Sequence, residues 1–577
     1  MVIYNMPAVN AQALHSRVAE INPILQMRLT VKHRTGTTTT GEPIYGTGYD
    51  VVEIDITNRL INWPSINTAK PRVPGDGKSP IEAHTVSIAL ANPDGYIGAT
   101  ADGTIIRPSD IKEGRIQLFA DLGTGIPVEW FSGRIDGLPT EKKGRTEFTA
   151  VSTLWEVLRN PIMYENWGVV SGQVQSLRAT ERDVLTGAVT IQSAGKSFKA
   201  LHGIATFDSA GNATPWAKRD GPGSISLAQV VLTSSSTLRP GVYRVEFLDA
   251  ENFTVSFPAG AAFMNGNRNR DTRTGSGIDF LAADWSGTAE AGSAIEFQIS
   301  LTLWGNPVAI LAYILERGLL GNYGTIPGVS PSVLLDLPAF TEAATRFDGM
   351  PIHFTATNGS NEVWQKKNDR KPGSKPIDAG KVCQLIADHI CGFIVMRSDG
   401  VITLRMPFID QHPLWEMTTD EQLTDSIVIS AADDTYNYLR VQYGYNPATN
   451  TYAAEAIGDY RESTSEVVTE LVISLPFIPV GVGDRHAEWV RDTVRRRHLR
   501  RQVKITTKAI AQFGLPLLPG DFLRVISDNP AISQPCEVVQ VSSEMGGLVS
   551  LTLAAIQEPE GPEAVICSGV VGSVGMW

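Results

Sequence analysis

Over the first 160 or so residues, hydrophobic and polar positions alternate in short runs, the period of strands with one buried face. Gln26–Thr35 and Tyr49–Asp55 are β-branched and alternating, and His84–Leu90, Gly114–Leu122, Glu129–Ile135 and Thr146–Val151 follow the same rule. The intervening INWPSINTAKPRVPGDGKSP is crowded with Pro and Gly and reads as a loop. Strand His84–Leu90 ends at Asn92-Pro93-Asp94-Gly95, where proline presets φ and glycine accepts a positive one. A short helix, Ser152–Leu158, starts on a Ser152 cap. These elements predict a β-barrel or sandwich.

From about Gly168 to Ser300 the texture shifts to Ser, Thr, Ala and Gly, with alternating runs such as GVYRVEFLDAENFTVSFPAG. Turn signals every 8–12 residues predict an inserted all-β domain. Asn306-Pro307 then supplies a cap and a first-turn proline for a helix with the stripe Val308, Leu311, Ala312, Leu315, expected to stop at Gly318. A second helix begins at Asp378, buries Val382, Leu385, Ile386 and Ile390, and stops at Gly392. It feeds a hairpin turning on Asp399-Gly400. The chain closes with two strands in Leu423–Tyr443, a basic helix Asp484–Arg500, and strands around a Leu518-Pro519-Gly520-Asp521 turn. The expected fold class is mainly β with an α+β middle module: two barrel-like β-modules, an inserted β-domain and a small α+β domain. Its divisions are 1–26 as an N-terminal arm, 27–167, 168–300, 301–422, 423–557, and 558–577 as a C-terminal arm.

At 577 residues the chain exceeds one hydrophobic core. Its 42% hydrophobic and 19% charged content is that of a soluble globular protein, with no apolar run long enough to cross a bilayer. The N-terminus lacks the basic start and apolar core of a secretion signal, so assembly in the cytoplasm is expected. The net charge of −12 argues against a dedicated nucleic-acid binder. Asp484–Lys508 nevertheless holds nine Lys/Arg against three Asp/Glu, just after an acidic stretch with Glu455, Asp459, Glu462, Glu466 and Glu470. Arg495, Arg496, Arg497, Arg500 and Arg501 are therefore the candidate subunit-interface residues, facing carboxylates such as Glu462 and Glu466 or those of a neighbour.

Signatures of chemistry are missing. Gly75-Asp76-Gly77-Lys78-Ser79 lacks the leading glycine of a phosphate loop, that position being Arg72. No G-x-S-x-G, H-E-x-x-H or C-x-x-C occurs. Cys383 and Cys391, eight residues apart on a helix, are too far apart in rise for a disulfide. His389 reads as a capping or core histidine. Trp216, Trp285 and Tyr243 either line a sugar platform or belong to a core. No catalytic residue, metal or cofactor is expected.

GRIQLFADL, VEWFSGRIDGLP and GRTEFTAVSTLWEVLRNPI early, WGNPVAILAYILERG and KVCQLIADHICGFIVMRSDGVITLRM in the middle, and RHAEWVRDTVRRRHLRRQVKITTKAIAQFGLPLLPGDFLRV late occur in that order. This arrangement resembles the baseplate hub or tail-tip hub proteins of tailed phages, related in fold to the base of type VI secretion spikes. Residues 168–300 fall outside the resemblance. It implies a structural virion protein, a homotrimer whose paired modules make a pseudo-sixfold ring under a hexameric tail tube, with a lumen for DNA. The implied partners are the tail tube or distal tail protein, the tape measure protein, and other baseplate and tail-fibre proteins. DNA is expected only in transit, and no integral membrane contact. The competing readings are a cell-wall or polysaccharide hydrolase with a carbohydrate-binding β-domain, and an adhesin binding its receptor through 168–300.

Overall fold

The computed structural model describes residues 23–61, 67–69, 81–82, 85–93, 114–122, 127–159, 179–182, 189–203, 205–207, 213–215, 217–227, 231–232, 241–256, 262–273, 278–323, 334–356, 379–397, 400–406, 415–418, 422, 426–431, 436–446, 451–461, 463, 466–498, 503–514, 517–528, 530–543 and 548–555. The Gly75–Ser79 segment, Trp216, Cys567 and both expected terminal arms apart from Pro23–Gln26 lie outside them.

The chain is mainly β, as its alternation requires, and its sheets are open, with no closed barrel among the described residues. In the N-terminal sheet, strands run in the order Pro43–Asp55, Pro23–Thr37, Arg115–Leu122, Pro127–Ile135, Arg145–Ser152, Thr85–Ala91. Alternate residues of these strands (Met27, Leu29, Val86, Ile88, Ile116, Leu118, Phe131, Phe148) form one buried cluster. Ser152 caps the helix Thr153–Arg159 through its Oγ, 3.4 Å from the Trp155 amide. Leu154 and Val157 of that helix point into a different core, shared with the middle of the chain.

The strand Ala294–Gly305 is the spine of the next layer. Its first half pairs with Gly241–Phe247 on one side and Ala217–Asp220 on the other. Its second half pairs with Lys196–Gly203 and Ile352–Ala356. Each half has its own core. Tyr243, Val245, Phe247, Phe253, Phe280 and Ile295 make an aromatic cluster on the first. Ile191, Phe198, Leu303 and Phe354 join the large central core on the second. One strand thus crosses residue 300 and serves two packing units.

The helix Pro307–Tyr323 continues past Gly318, where a stop was expected. A mid-helix glycine costs only about 1 kcal/mol, which the buried stripe Val308, Leu311, Ala312, Leu315 outweighs. The helix Leu337–Arg346 packs beside it, unanticipated, its Asp336 cap accepting from the Ala339 amide. The helix Ala379–His389 ends with Cys391 in the left-handed region (φ 49°) while the Gly392 amide returns to the Ala387 carbonyl. The hairpin Phe393–Met396 and Ile402–Arg405 turns with Gly400 at φ 78°.

A three-strand sheet (Thr451–Asp459, Tyr438–Asn446, Glu470–Leu475) then packs under the basic helix Asp484–His498. Its buried residues Leu439, Val441, Ile473 and Leu475 belong to the central core. The closing sheet, ordered Trp415–Met417, Phe522–Asp528, Ala531–Ser543, Leu548–Ala555, Val503–Ile510, Val428–Ala431, has a separate core of Ile505, Leu523, Val525, Val538, Leu551 and Leu553. The Pro/Gly-rich stretch after the second strand adds two very short strands to other sheets. Asn67–Ala69 pairs antiparallel with Gln540–Ser542 of the closing sheet. Ile81–Glu82 pairs parallel with Ile394–Val395.

Candidate assembly surface

The basic helix is positioned from its first turn. The Asp484 carboxylate accepts from the Gly481 amide at 2.8 Å and from Tyr443 Oη at 2.9 Å, at the end of the helix where negative charge suits the backbone dipole. Burial and the Asp484 carboxylate push the Tyr443 phenol up to about 12. Ala487, Val490 and Val494 are fully buried, the inward stripe that the sequence predicts. Trp489 meets Phe347 edge-on at 4.9 Å, tying the helix to Leu337–Arg346.

The outward side holds Arg495. Arg495 is exposed and lies over the Tyr460 ring, 4.6 Å from its centroid. Arg496 and Arg497 are in the helix, with side chains outside the described residues, as are Arg500 and Arg501 altogether. Arg491 donates to Asp492 at 2.8 Å and to the Ile457 carbonyl at 3.4 Å. Of the expected acidic partners, Glu466 accepts from Asn437 Nδ2 at 3.0 Å, and Glu462 is outside the described residues. Tyr460 was not anticipated as a partner of Arg495: nothing local marks an aromatic residue that far upstream.

On the outer face of the three-strand sheet, Arg440 sits between Ile457 and Val472 in register and is clamped by Glu470 at 2.7 Å and Glu455 at 3.6 Å. Beside it, hydrogen bonds from Arg461 lower the Asp459 carboxyl to about 2. This face mixes paired charges with exposed apolar residues, Val472 at 42% and Ile457 at 47%.

Among the described residues, one edge strand of each end sheet also carries apolar side chains into solvent. Val428–Ala431 is the last strand of the closing sheet, with Val428 60% and Ile429 44% exposed. Pro43–Asp55 is the last strand of the N-terminal sheet, with Val51 60% and Ile44 46% exposed. Native monomers usually blunt edges with charge, proline or a covering element.

The expected Leu518–Asp521 turn also joins modules. Gly520 takes φ +95°, the Asp521 carboxylate accepts from the Leu518 amide at 2.8 Å, and the same carboxylate pairs with Arg405 of the central hairpin at 3.4 Å. This places the closing sheet against the end of strand Ile402–Arg405.

The residues considered for chemistry are built into cores. Tyr243 is buried, and Trp285 packs against Phe247, Phe253 and Phe280 at 5.2–5.7 Å, so this pair is core rather than a sugar platform. His389 is buried and hydrogen-bonded through both ring nitrogens. Burial alone pushes the Cys536 thiol up to about 12. Cys536 is a free thiol. Among the described residues no group of three or more His, Cys, Asp or Glu could hold a metal ion, and no helix is long and apolar enough to cross a membrane.

No family model matches the chain, and no curated protein matches it. Among solved structures it is similar to a 43 kDa tail protein of prophage MuSo2 from Shewanella oneidensis, at 8% identity over 92% of this chain and 98% of that one, with a TM-score of 0.35. It is similar to a tail protein from Neisseria meningitidis MC58, at 13% identity over 57% and 96%, with a TM-score of 0.27. A chain of the phage P2 baseplate in its activated conformation aligns at 8% identity over 92% and 99%, with a TM-score of 0.24. All three are tail or baseplate proteins.

Proposed function

We propose that this chain is a structural virion protein of a phage tail, a trimeric hub at the baseplate or tail tip, without catalytic activity of its own. The observation that carries the reading is the pair of edge strands with exposed apolar side chains, Val428–Ala431 and Pro43–Asp55, one on each end sheet among the described residues. A chain with two such edges can add strand to strand with two neighbours, the geometry a closed ring needs. Ring contacts of this kind bury about 2,000 Å² or more. The two end sheets contribute one position each, so three chains present six positions to a hexameric tube. The net charge of −12 suits a lumen that passes DNA without holding it. Tail tube or distal tail protein, tape measure and fibre proteins are its partners in this reading. Arg495, Arg496, Arg497, Arg500 and Arg501 make protein contacts.

The test is electron microscopy and mass measurement of the purified chain beside Val428→Lys/Ile429→Lys. A threefold ring for the parent and loss of assembly in the variant are expected. A concentration-independent monomeric parent with a cleft overturns the reading. Salt-sensitive DNA binding by the parent, with assembly unharmed in Arg496→Glu/Arg500→Glu, would reassign the basic helix to nucleic acid.

A further inference from the structure

Three histidines from three separated elements meet in the central core: His353 on strand Ile352–Ala356, His389 at the end of helix Ala379–His389, and His486 in the basic helix. They are 4%, 1% and 0% exposed. His389 Nδ1 lies 2.6 Å from the Leu385 carbonyl oxygen, so it carries the hydrogen. Its Nε2 accepts from the Phe477 amide at 3.0 Å, and its ring stacks on Phe477 at 4.7 Å. The backbone carbonyl of His389 accepts in turn from His486 Nε2 at 2.8 Å. The Phe477 carbonyl accepts from the His353 amide at 2.8 Å. These bonds join the turn after strand Glu470–Leu475 and the basic helix to the middle helices.

We propose that His389 and His486 form an acid-released latch: as neutral rings they lock the basic helix and the Phe477 turn onto the middle helices, and protonation frees that layer. A proton on His389 Nε2 would set a donor against the Phe477 amide and break that hydrogen bond in a buried seam. A proton on His486 adds a buried charge, which the His389 and Pro351 carbonyls offset only in part. The titratable groups acting on His389 are His486 from the basic helix and His353 from the strand, both cationic when protonated, so each opposes the other's charging. Asp484, on the same helix as His486, is engaged by Tyr443 and the Gly481 amide. Burial, first of all, holds His389 down to about 3 and His486 down to about 4. An opened layer returns both rings toward the ordinary 6.5. The latch is therefore at full strength above 6.5 and weakens as pH falls from there towards 3–4. At pH 5 the open form gains roughly 30-fold from each histidine, about 1,000-fold from both. The freed layer carries Arg495, but the latch does not depend on what that arginine contacts.

The test is hydrogen exchange on the full chain at pH 7.5 and 4.5, corrected for intrinsic rates. Amides of 477–494 are expected to lose at least ~100-fold protection at pH 4.5, while those of 534–541 in the separately packed closing sheet hold theirs. His389→Gln/His486→Gln should abolish the difference. Equal loss in both regions, or the same loss in the double variant, overturns the proposal. Should the double variant not fold at pH 7.5, histidine NMR of the parent decides. One steep, joint titration coincident with the loss of protection supports the latch; independent shallow titrations within a closed structure overturn it.

Discussion

A Cβ on Gly133 would stand 2.4 Å from the Val151 carbonyl oxygen and 2.7 Å from the Phe131 ring, which folds over the glycine from the same face of its strand. The aromatic ring covers backbone that a side chain would otherwise shield, so this Phe-x-Gly spacing is a packing device. The obstruction includes backbone on the paired strand Arg145–Ser152, which cannot rotate away. Gly133→Ala should therefore destabilise the N-terminal sheet by about 2–3 kcal/mol, read as an earlier denaturant midpoint. Gly137→Ala, at φ 84° with nothing within 4 Å of its Cβ, is the control for backbone strain alone. Equal small losses in both would show that the contact with Val151 yields.

The elements legible in the sequence are those whose signal is local. Asn306 caps Pro307–Tyr323, its Oδ1 accepting from the Val308 and Ala309 amides at 3.0 and 3.2 Å. The structure adds a second role: Asn306 Nδ2 donates to the Ala344 carbonyl at 2.8 Å, joining two helices at a buried site. Asn306→Ala loses the cap and the inter-helix bond, leaving the Ala344 carbonyl only its bond from the Phe347 amide, for about 1–3 kcal/mol. Asn306→Ser keeps a capping oxygen and should fall between, measured by thermal unfolding; a Ser variant as unstable as Ala would show that the cap contributes nothing. Leu337–Arg346 is faint in the sequence because Phe340, Ala343 and Ala344 make its buried stripe, and alanines stand out little in a hydrophobic pattern. Its Asp336 cap followed by Pro338 was readable. The candidate assembly residues were legible only as a run of charge. That Arg495 settles on Tyr460 depends on a sheet folding beneath the helix, which no spacing encodes.

For the whole molecule, pairing rather than pattern decides what belongs together. Gly203 and Ser300 stand opposite each other in register, and the aromatic cluster around Phe253 lies on the far side of that pair. Replacing 204–299 by Asn-Gly should close Lys196–Gly203 and the rest of the spine strand into a two-residue hairpin. The expected outcome is a cooperative unfolding transition that keeps the central core; a molten remainder with no sharp transition would make that region part of the core. The strands Asn67–Ala69 and Ile81–Glu82 were illegible for the opposite reason: two or three residues carry no alternation, and their partners are far along the chain. That distance has a consequence for synthesis. Thr68 finds Val541 about 470 residues later, which a ribosome covers in roughly 25–95 s. For most of that interval, once Ser152 has been made, the nascent chain holds an N-terminal sheet tethered to an unclaimed strand. A chaperone that shields residues 62–84 during translation should raise the yield of native protein more than one acting after release.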